Sequence, residues 1–218
     1  MAQTVYIMRH AETLFNLQGK TQGWCDSPLT ARGIEQARLT GLELARRGLT
    51  FDHAYSSTSE RCNDTLEIAT EAAFGEPMPY ERRKGLKEIN FGAFEGKDQC
   101  LELHDEDFGE FYVKFGGESH SAATERFEND LRTILARPDH QSILVCSHGG
   151  ISINFYMKWS SYAKVPPTIF SNCMIYVYKY EDGIFSCVDM FVADLSSLEQ
   201  PGMPQQVRVI DQNKRGPL

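Results

Sequence analysis

Val5-Tyr6-Ile7-Met8-Arg9-His10-Ala11-Glu12-Thr13 is the stretch on which the reading of this chain turns. Val5-Tyr6-Ile7 is a short apolar run, the pattern of a buried strand. An arginine–histidine pair follows it directly. A strand that delivers a cation and an imidazole at its carboxyl end places both where open α/β sheets bind ligands. One such pair is weak evidence, because most are surface residues. Here Arg61, Glu88 and His148 each occupy a recognisable setting further along the chain. Together they describe a pocket for a phosphate group and a histidine that attacks it.

Working outward, strands and helices alternate. Thr30 stands at the N-cap of a helix with Ile34, Ala37, Leu42, Leu44 and Ala45 as its apolar stripe, ended by Gly48. His53-Ala54-Tyr55-Ser56 is a second strand, and Ser59 caps a helix running to about Phe74. Pro77 to Glu81 is read as a third short strand. A helix through Phe127, Leu131, Ile134 and Leu135 ends at Pro138. Ser142-Ile143-Leu144-Val145-Cys146 is continuously apolar, as a strand covered on both faces should be. Ser147-His148-Gly149-Gly150 then opens a helix to about Trp159. Two strands, 173–180 and 184–191, flank Glu181-Asp182-Gly183 as a hairpin. The segment 97–117 is acidic (Asp98, Glu102, Asp105, Glu106, Asp107, Glu110), with Phe108, Phe111, Tyr112 and Phe115 interleaved. It is expected to be a mostly helical cap over one end of the sheet. The tail from Glu199 to Leu218 is expected to run over the surface.

The bulk numbers bound the answer. With 218 residues, 41% hydrophobic and 24% charged, the chain suits a single domain over residues 1–218 carrying that cap. There is no apolar run near the length of a membrane span. Met1-Ala2-Gln3-Thr4 lacks the pattern of a signal peptide, so a cytoplasmic location and no membrane partner are expected. The net charge of −8 argues against nucleic acid as a partner. The six cysteines show no C-x-x-C pair and no metal-ligand spacing, and are expected to be buried free thiols. Cys25 and Cys62 fall near the proposed site residues but carry no expected catalytic role.

Phosphoryl transfer asks a protein for positioning and positive charge. Arginine supplies a planar fork for two phosphate oxygens, and a helix N-terminus such as that at Gly149 adds backbone N–H donors. The motifs, taken in order, resemble the histidine phosphatase superfamily, also called the phosphoglycerate mutase-like family. Arg9-His10-Ala11-Glu12-Thr13 matches its first motif. Asn16, Gly19, Gln22-Gly23, Asp26, Pro28-Leu29-Thr30 and Gly33 match the continuation. Tyr55-Ser56-Ser57 and Arg61 with Thr65 match the second motif, and Leu86 to Gly96 the third. Gly116-Gly117-Glu118-Ser119 and Ser147-His148-Gly149-Gly150 complete the set.

The resemblance implies an α/β fold: three layers, α/β/α, with a mostly parallel central sheet, an edge hairpin near the C-terminus and a helical cap insertion. It implies His10 as nucleophile, Glu88 as proton donor, and Arg9, Arg61 and His148 as holders of the transferring group. Asn16, Gln22, Gly23 and Gly149 would add hydrogen bonds to the phosphate. No cofactor and no metal are implied. The expected partner is a small phosphorylated metabolite, and a homodimer is compatible with the reading.

Elementary chemistry agrees. A histidine nucleophile must be neutral, and neighbouring arginines favour that form. Glu88 must be protonated to act as an acid, which calls for burial or a nearby anion. Ala11 stands where glycine is usual, so the local backbone conformation decides whether its methyl is strained. His53, His104, His120 and His140 have no motif context. Trp24, Phe94, Phe108, Phe111 and Tyr112 are candidates for an outer pocket.

The family holds both phosphatases and mutases. The acidic, short interval before the His148 motif favours a phosphatase, because an acidic cap suits a bisphosphorylated intermediate poorly. The basic cluster Arg82, Arg83, Lys84 and Lys87 keeps phosphoglycerate mutase as the alternative. A catalytically inactive phospho-ligand-binding module is a third class, disfavoured by the joint presence of His10 and Glu88.

Overall fold

The computed structural model describes residues 2–101, 109–166 and 171–198. Six strands form one sheet in the order β3-β2-β4-β1-β5-β6: β1 is Gln3–Arg9, β2 His53–Ser57, β3 Tyr80–Arg83, β4 Ser142–Ser147, β5 Ile175–Glu181 and β6 Ile184–Phe191. The four strands β1 to β4 run parallel, and β5 and β6 add an antiparallel pair at one edge. This is the mixed α/β sheet with an edge hairpin expected from the sequence. Its turn places Asp182 and Gly183 at φ 49° and 82°, the conformation that tight hairpins require and that Asp-Gly supplies cheaply.

Register decides what the sheet presents. In the parallel pair β1–β4, Arg9 lies opposite Ser147, and Ser56 of β2 lies opposite Cys146. The residues that follow, His10, Ser57 and His148, therefore emerge together at the carboxyl edge. Alternation along β1 and β4 sends Val5, Ile7, Ile143 and Val145 to one face, where they pack with Phe127, Leu131, Ile151 and Phe155. Those partners belong to α4 (His120–Leu135) and α5 (Gly149–Lys158). Met8, Leu144 and Cys146 face the other way, against Leu44, Leu66 and Ala69. These sit on α2 (Ala31–Arg46) and α3 (Glu60–Phe74).

The helix α2 departs from its expected stripe. Ile34 and Leu42 are 48% and 44% exposed, and the buried face is Gly33, Gln36, Ala37, Thr40, Gly41 and Leu44. The spacing is that of a core-facing helix, but small and polar residues occupy it because the contacts are close. A Cβ at Gly41 would lie 2.1 Å from the Ala69 carbonyl oxygen, and one at Gly33 would lie 2.1 Å from that of Glu12. The short helix α1 (Leu14–Leu17) is closed by Thr13 and Asn16 in a reciprocal capping box.

Two further boundaries differ from expectation. β3 starts at Tyr80 rather than Pro77, since Pro77 and Pro79 have no N–H to give a neighbour. Ser59 precedes α3 but makes no side-chain cap bond, and the Asp26 carboxylate accepts the Glu60 N–H at 2.6 Å instead. Within 97–117, the described residues form two single 3-10 turns, Gln99–Leu101 and Val113–Phe115, rather than a longer helix. Glu102, His104, Asp105, Glu106, Asp107 and Phe108, and the tail from Glu199 to Leu218, lie outside the described residues. Phe94, Phe111, Tyr112 and Phe115 pack on one another, with ring centroids 4.9 Å apart for Phe94–Phe115 and 5.2 Å for Phe94–Phe111. Phe111 and Tyr112 are thus buried in an aromatic cluster, where an outer-pocket wall was expected. No described helix is long and apolar enough to cross a membrane.

Candidate active site

Strand β1 ends by handing over Arg9 and His10, and the backbone there is locked. The His10 N–H donates to the Ser147 carbonyl at 2.9 Å, and the Ala11 N–H donates to Thr65 Oγ1 at 2.9 Å. Thr65 in turn donates to the Arg61 carbonyl at 2.6 Å. Ala11 is fully buried, and its φ is not positive, so the methyl that replaces the usual glycine sits without strain beside Ala37 and Cys173.

His10 is buried, and its Nδ1 lies 2.8 Å from the Ala11 carbonyl. A carbonyl only accepts, so Nδ1 carries the proton and Nε2 keeps its lone pair. Burial, then Arg61, then Arg9, hold this imidazole's pKa well below the ordinary histidine value. The ring is therefore neutral, with a fixed tautomer that leaves Nε2 unprotonated.

Arg61 is fully buried in the first turn of α3. One terminal nitrogen donates to the Cys25 carbonyl at 2.9 Å and to Asp26 Oδ1 at 2.8 Å. The other donates to the Gly23 carbonyl and to His148 Nδ1, both at 2.8 Å. Its buried Nε has no hydrogen-bond partner among the described residues. Because arginine only donates, His148 Nδ1 is an acceptor and the proton sits on Nε2, 2.8 Å from Ser57 Oγ. Burial and then Arg61 lower the His148 pKa well below its ordinary value. The His10 and His148 rings meet edge to face with centroids 5.4 Å apart.

Glu88 lies in the loop after β3, buried against the start of α5. Its oxygens accept the N–H groups of Gly150 at 2.8 Å, Ile151 at 2.7 Å and Ile89 at 3.0 Å. Burial raises its pKa despite those three donors, which pull the other way. Two glycines make this corner fit: a Cβ at Gly150 would lie 2.9 Å from Glu88 Oε1, and one at Gly149 would lie 2.9 Å from Arg9 Nε. The Arg9 side chain thus crosses the amino end of α5.

The structure brings Arg9, His10, Arg61, Glu88, His148 and Gly149 to one edge of the sheet. The neutral residues sit around them with other commitments. Asn16 Oδ1 accepts from Thr13 N–H and from Asn172 Nδ2. Gln22 accepts from Thr13 Oγ1 at 2.7 Å and donates to Ser27 Oγ at 3.1 Å. The Gly23 N–H donates to Glu95 at 3.1 Å. In this structure Gln22 and Gly23 build the loop that Arg61 holds.

Several residues here received no role from the sequence. Glu95 gathers the N–H groups of Gly23, Trp24, Cys25 and Phe91 and so ties two motif loops together. Burial raises its pKa, but the Cys25 thiol and these backbone donors outweigh it and hold the group below its ordinary value. Asp26 joins Arg61 to the start of α3, and Asn172 donates to the His10 carbonyl at 3.1 Å. Motif position was a signal for Glu95 and Asp26, whereas Asn172 had none, since its bonds are to groups distant in sequence.

All six cysteines are free; four are buried, Cys25 is half-buried and Cys100 exposed, so the expectation of burial fails for two. Cys62 Sγ lies 3.6 Å and 3.7 Å from the two ring nitrogens of His148, packing against that ring. Among the described residues, His53, Asp139 and His140 could approach one ion. They lie at the opposite end of β2 and β4, and both nitrogens of His140 are already bonded, to Tyr55 Oη and the Pro138 carbonyl.

A model of the histidine phosphatase superfamily, branch 1, matches residues 5–192. The chain is 39% identical over 94 residues to a 2,3-bisphosphoglycerate-dependent phosphoglycerate mutase of Nitrosococcus oceani, a match covering 43% of this chain and 39% of that protein. It is 29% identical over 219 residues to the "Probable phosphoglycerate mutase GpmB" of Salmonella paratyphi A, covering 94% of this chain and 99% of the relative. Among solved structures it is similar to a phosphoglycerate mutase from Bacillus anthracis str. Sterne. That likeness has a TM-score of 0.75 and 25% identity, over 89% of this chain and 94% of the other.

Proposed function

The chain belongs to branch 1 of the histidine phosphatase superfamily, and from that premise we propose that it is a metal-independent phosphomonoesterase acting on a small phosphorylated metabolite. The observation that carries the reading is His10: buried, neutral, and with Nδ1 committed to the Ala11 carbonyl so that Nε2 faces the reaction. In the first step Nε2 attacks phosphorus while the P–O bond to the leaving group breaks. Arg9, Arg61 and His148, with Asn16 and the Gly149 end of α5, stabilise the charge on the three spectator oxygens. Arriving phosphate takes the Nε–H of Arg61 and competes with Ser57 for the Nε2–H of His148.

Glu88 gives its proton to the departing oxygen. The raised pKa that burial confers keeps that proton available. Water then attacks the phosphohistidine, Glu88 takes a proton from it, and inorganic phosphate and free His10 result. One difficult displacement becomes two easier ones.

Phosphoglycerate mutase is the second reading. It is favoured by the names of the relatives and by Lys87, a cation near the pocket. The acidic composition of 97–117 weighs against it. The separating experiment supplies 3-phosphoglycerate with and without 2,3-bisphosphoglycerate. Release of inorganic phosphate supports the phosphatase. Bisphosphate-dependent formation of 2-phosphoglycerate with little phosphate overturns it.

A further inference from the structure

The amide of Asn16 is held in one orientation by two donors. The Thr13 N–H meets one end of it at 3.2 Å, and Asn172 meets that same atom at 3.1 Å. A backbone N–H only donates, so the atom it meets is the Asn16 oxygen. The Asn172 atom facing that oxygen must then be the nitrogen. The His10 carbonyl, which only accepts, lies 3.1 Å from the same Asn172 nitrogen and gives the same answer from the other side. Asn172 thus spends one amide proton on Asn16 Oδ1 and the other on the His10 carbonyl. Both ends of this relay are backbone groups, so neither amide can turn over without setting like against like. Asn16 Nδ2 is left with no partner among the described residues.

The backbone after Asn172 is bent to keep it there. Cys173 takes φ 59°, in the left-handed region that a residue other than glycine seldom enters. It is fully buried and packs with Ala11 and Ala37. In that conformation the Cys173 N–H reaches the His10 carbonyl at 3.4 Å, and the Met174 carbonyl accepts the Arg9 N–H at 2.9 Å. A strained residue persists where its surroundings over-determine it, and such residues gather at functional sites. Here the strained turn sets residues 172–174 against Arg9 and His10.

We propose that Asn172 is a positioning residue for the phosphate site. It acts through Asn16 rather than on the substrate. It engages the Asn16 oxygen, so that both N–H bonds of Nδ2 stay free to donate to the oxygens of the transferring group. An Asn16 amide turned the other way would present a carbonyl oxygen to an anion. The proposal rests on the reading of Asn16 and its neighbours as a phosphate pocket.

The test is a double-mutant cycle read by binding. Dissociation constants for inorganic phosphate are measured on the wild type, Asn16→Ala, Asn172→Ala and the double variant. Loss of one hydrogen bond to an anion should weaken phosphate binding about five- to ten-fold in Asn16→Ala, and Asn172→Ala should lose about three- to ten-fold. The double variant should bind within about two-fold of Asn16→Ala, because the two losses are one loss. Losses that multiply, or an Asn172→Ala protein that binds phosphate as the wild type does, overturn the positioning role. Wild-type binding by Asn16→Ala overturns it together with the phosphate role of Asn16.

Asn172→Asp keeps the size of the side chain and carries the test if the alanine variant does not fold. At about pH 8 its carboxylate faces two acceptors, and phosphate binding should be at least about ten-fold weaker than in the wild type. Relative to the wild type, that deficit should narrow towards about pH 5, as a proton restores one donor. A deficit that is absent, or that stays constant over this range, overturns the proposal, since a merely structural loss does not follow that titration. Hydrolysis of p-nitrophenyl phosphate by the wild type keeps the two claims apart. Coupled binding losses without any hydrolysis overturn the phosphatase reading alone, and hydrolysis with multiplied losses overturns the positioning role alone.

Discussion

Arg61→Lys is the substitution that asks most of the site's geometry. It keeps the charge and removes the fork. Two guanidinium nitrogens of Arg61 serve four acceptors, Cys25 O, Asp26 Oδ1, Gly23 O and His148 Nδ1, all at 2.8–2.9 Å in a fully buried setting. An ammonium has three protons, so at least one acceptor loses its partner, at about 1–3 kcal/mol. For a chain of this size each kcal/mol shifts the melting midpoint by about 2–4 °C, which places the variant about 2–12 °C below the wild type. The catalytic loss is separate. Without the Nε–H, and with His148 no longer anchored, kcat/KM for a phosphomonoester should fall by about 10²–10³-fold, as when a preorganised donor to developing charge is removed. Thermal unfolding and steady-state hydrolysis measure the two effects. Arg38→Lys is the control, because Arg38 makes only an exposed pair with Glu35 and should shift neither. An Arg61→Lys protein that melts within about 1 °C of the wild type and retains its activity would refute the network as drawn.

Glu88→Gln should slow single-turnover phosphorylation by alkyl phosphates about 10²–10⁴-fold and by p-nitrophenyl phosphate much less, since nitrophenolate needs no proton; equal losses rule out the acid role. The lowered pKa values of His10 and His148 mean that the unfolded chain binds protons at these rings below about pH 6.5 while the folded chain does not. Stability should therefore fall as pH drops through that value, and denaturant midpoints between about pH 8 and 5.5 should change less in His148→Gln. Gly23→Ala sets a Cβ 2.2 Å from the Ile89 carbonyl oxygen and 2.5 Å from Glu95 Oε1; the backbone cannot yield cheaply, so the midpoint and activity should both drop, and a wild-type melt would show that the 22–26 loop is not held as described.

The fold was legible where chemistry is written in runs. The apolar strands β1 and β4 and the Glu181-Asp182-Gly183 turn needed no tertiary context. The face of α2 was not legible, because Gly33, Thr40 and Gly41 are chosen for close approach rather than hydrophobicity, and only the partners at Glu12 and Ala69 reveal it. Ser59 was read as a cap by its residue type, yet Asp26, thirty-four positions from Glu60, makes the bond. The site divides the same way. Arg9, His10, Arg61, Glu88 and His148 stand in motifs whose order survives in sequence. Motif position marked Glu95 without showing the backbone donors it gathers from another loop, and the bonds of Asn172 are to groups that no local pattern records.

Trapping the covalent intermediate tests the central claim most directly. Wild-type protein is mixed with a ³²P-labelled phosphomonoester, quenched within milliseconds and mapped by peptide. The account predicts label on His10 alone, stable to base and lost in acid, and no labelled protein from His10→Ala. Hydrolysis at a near wild-type rate by His10→Ala, or label on any other residue, would contradict it.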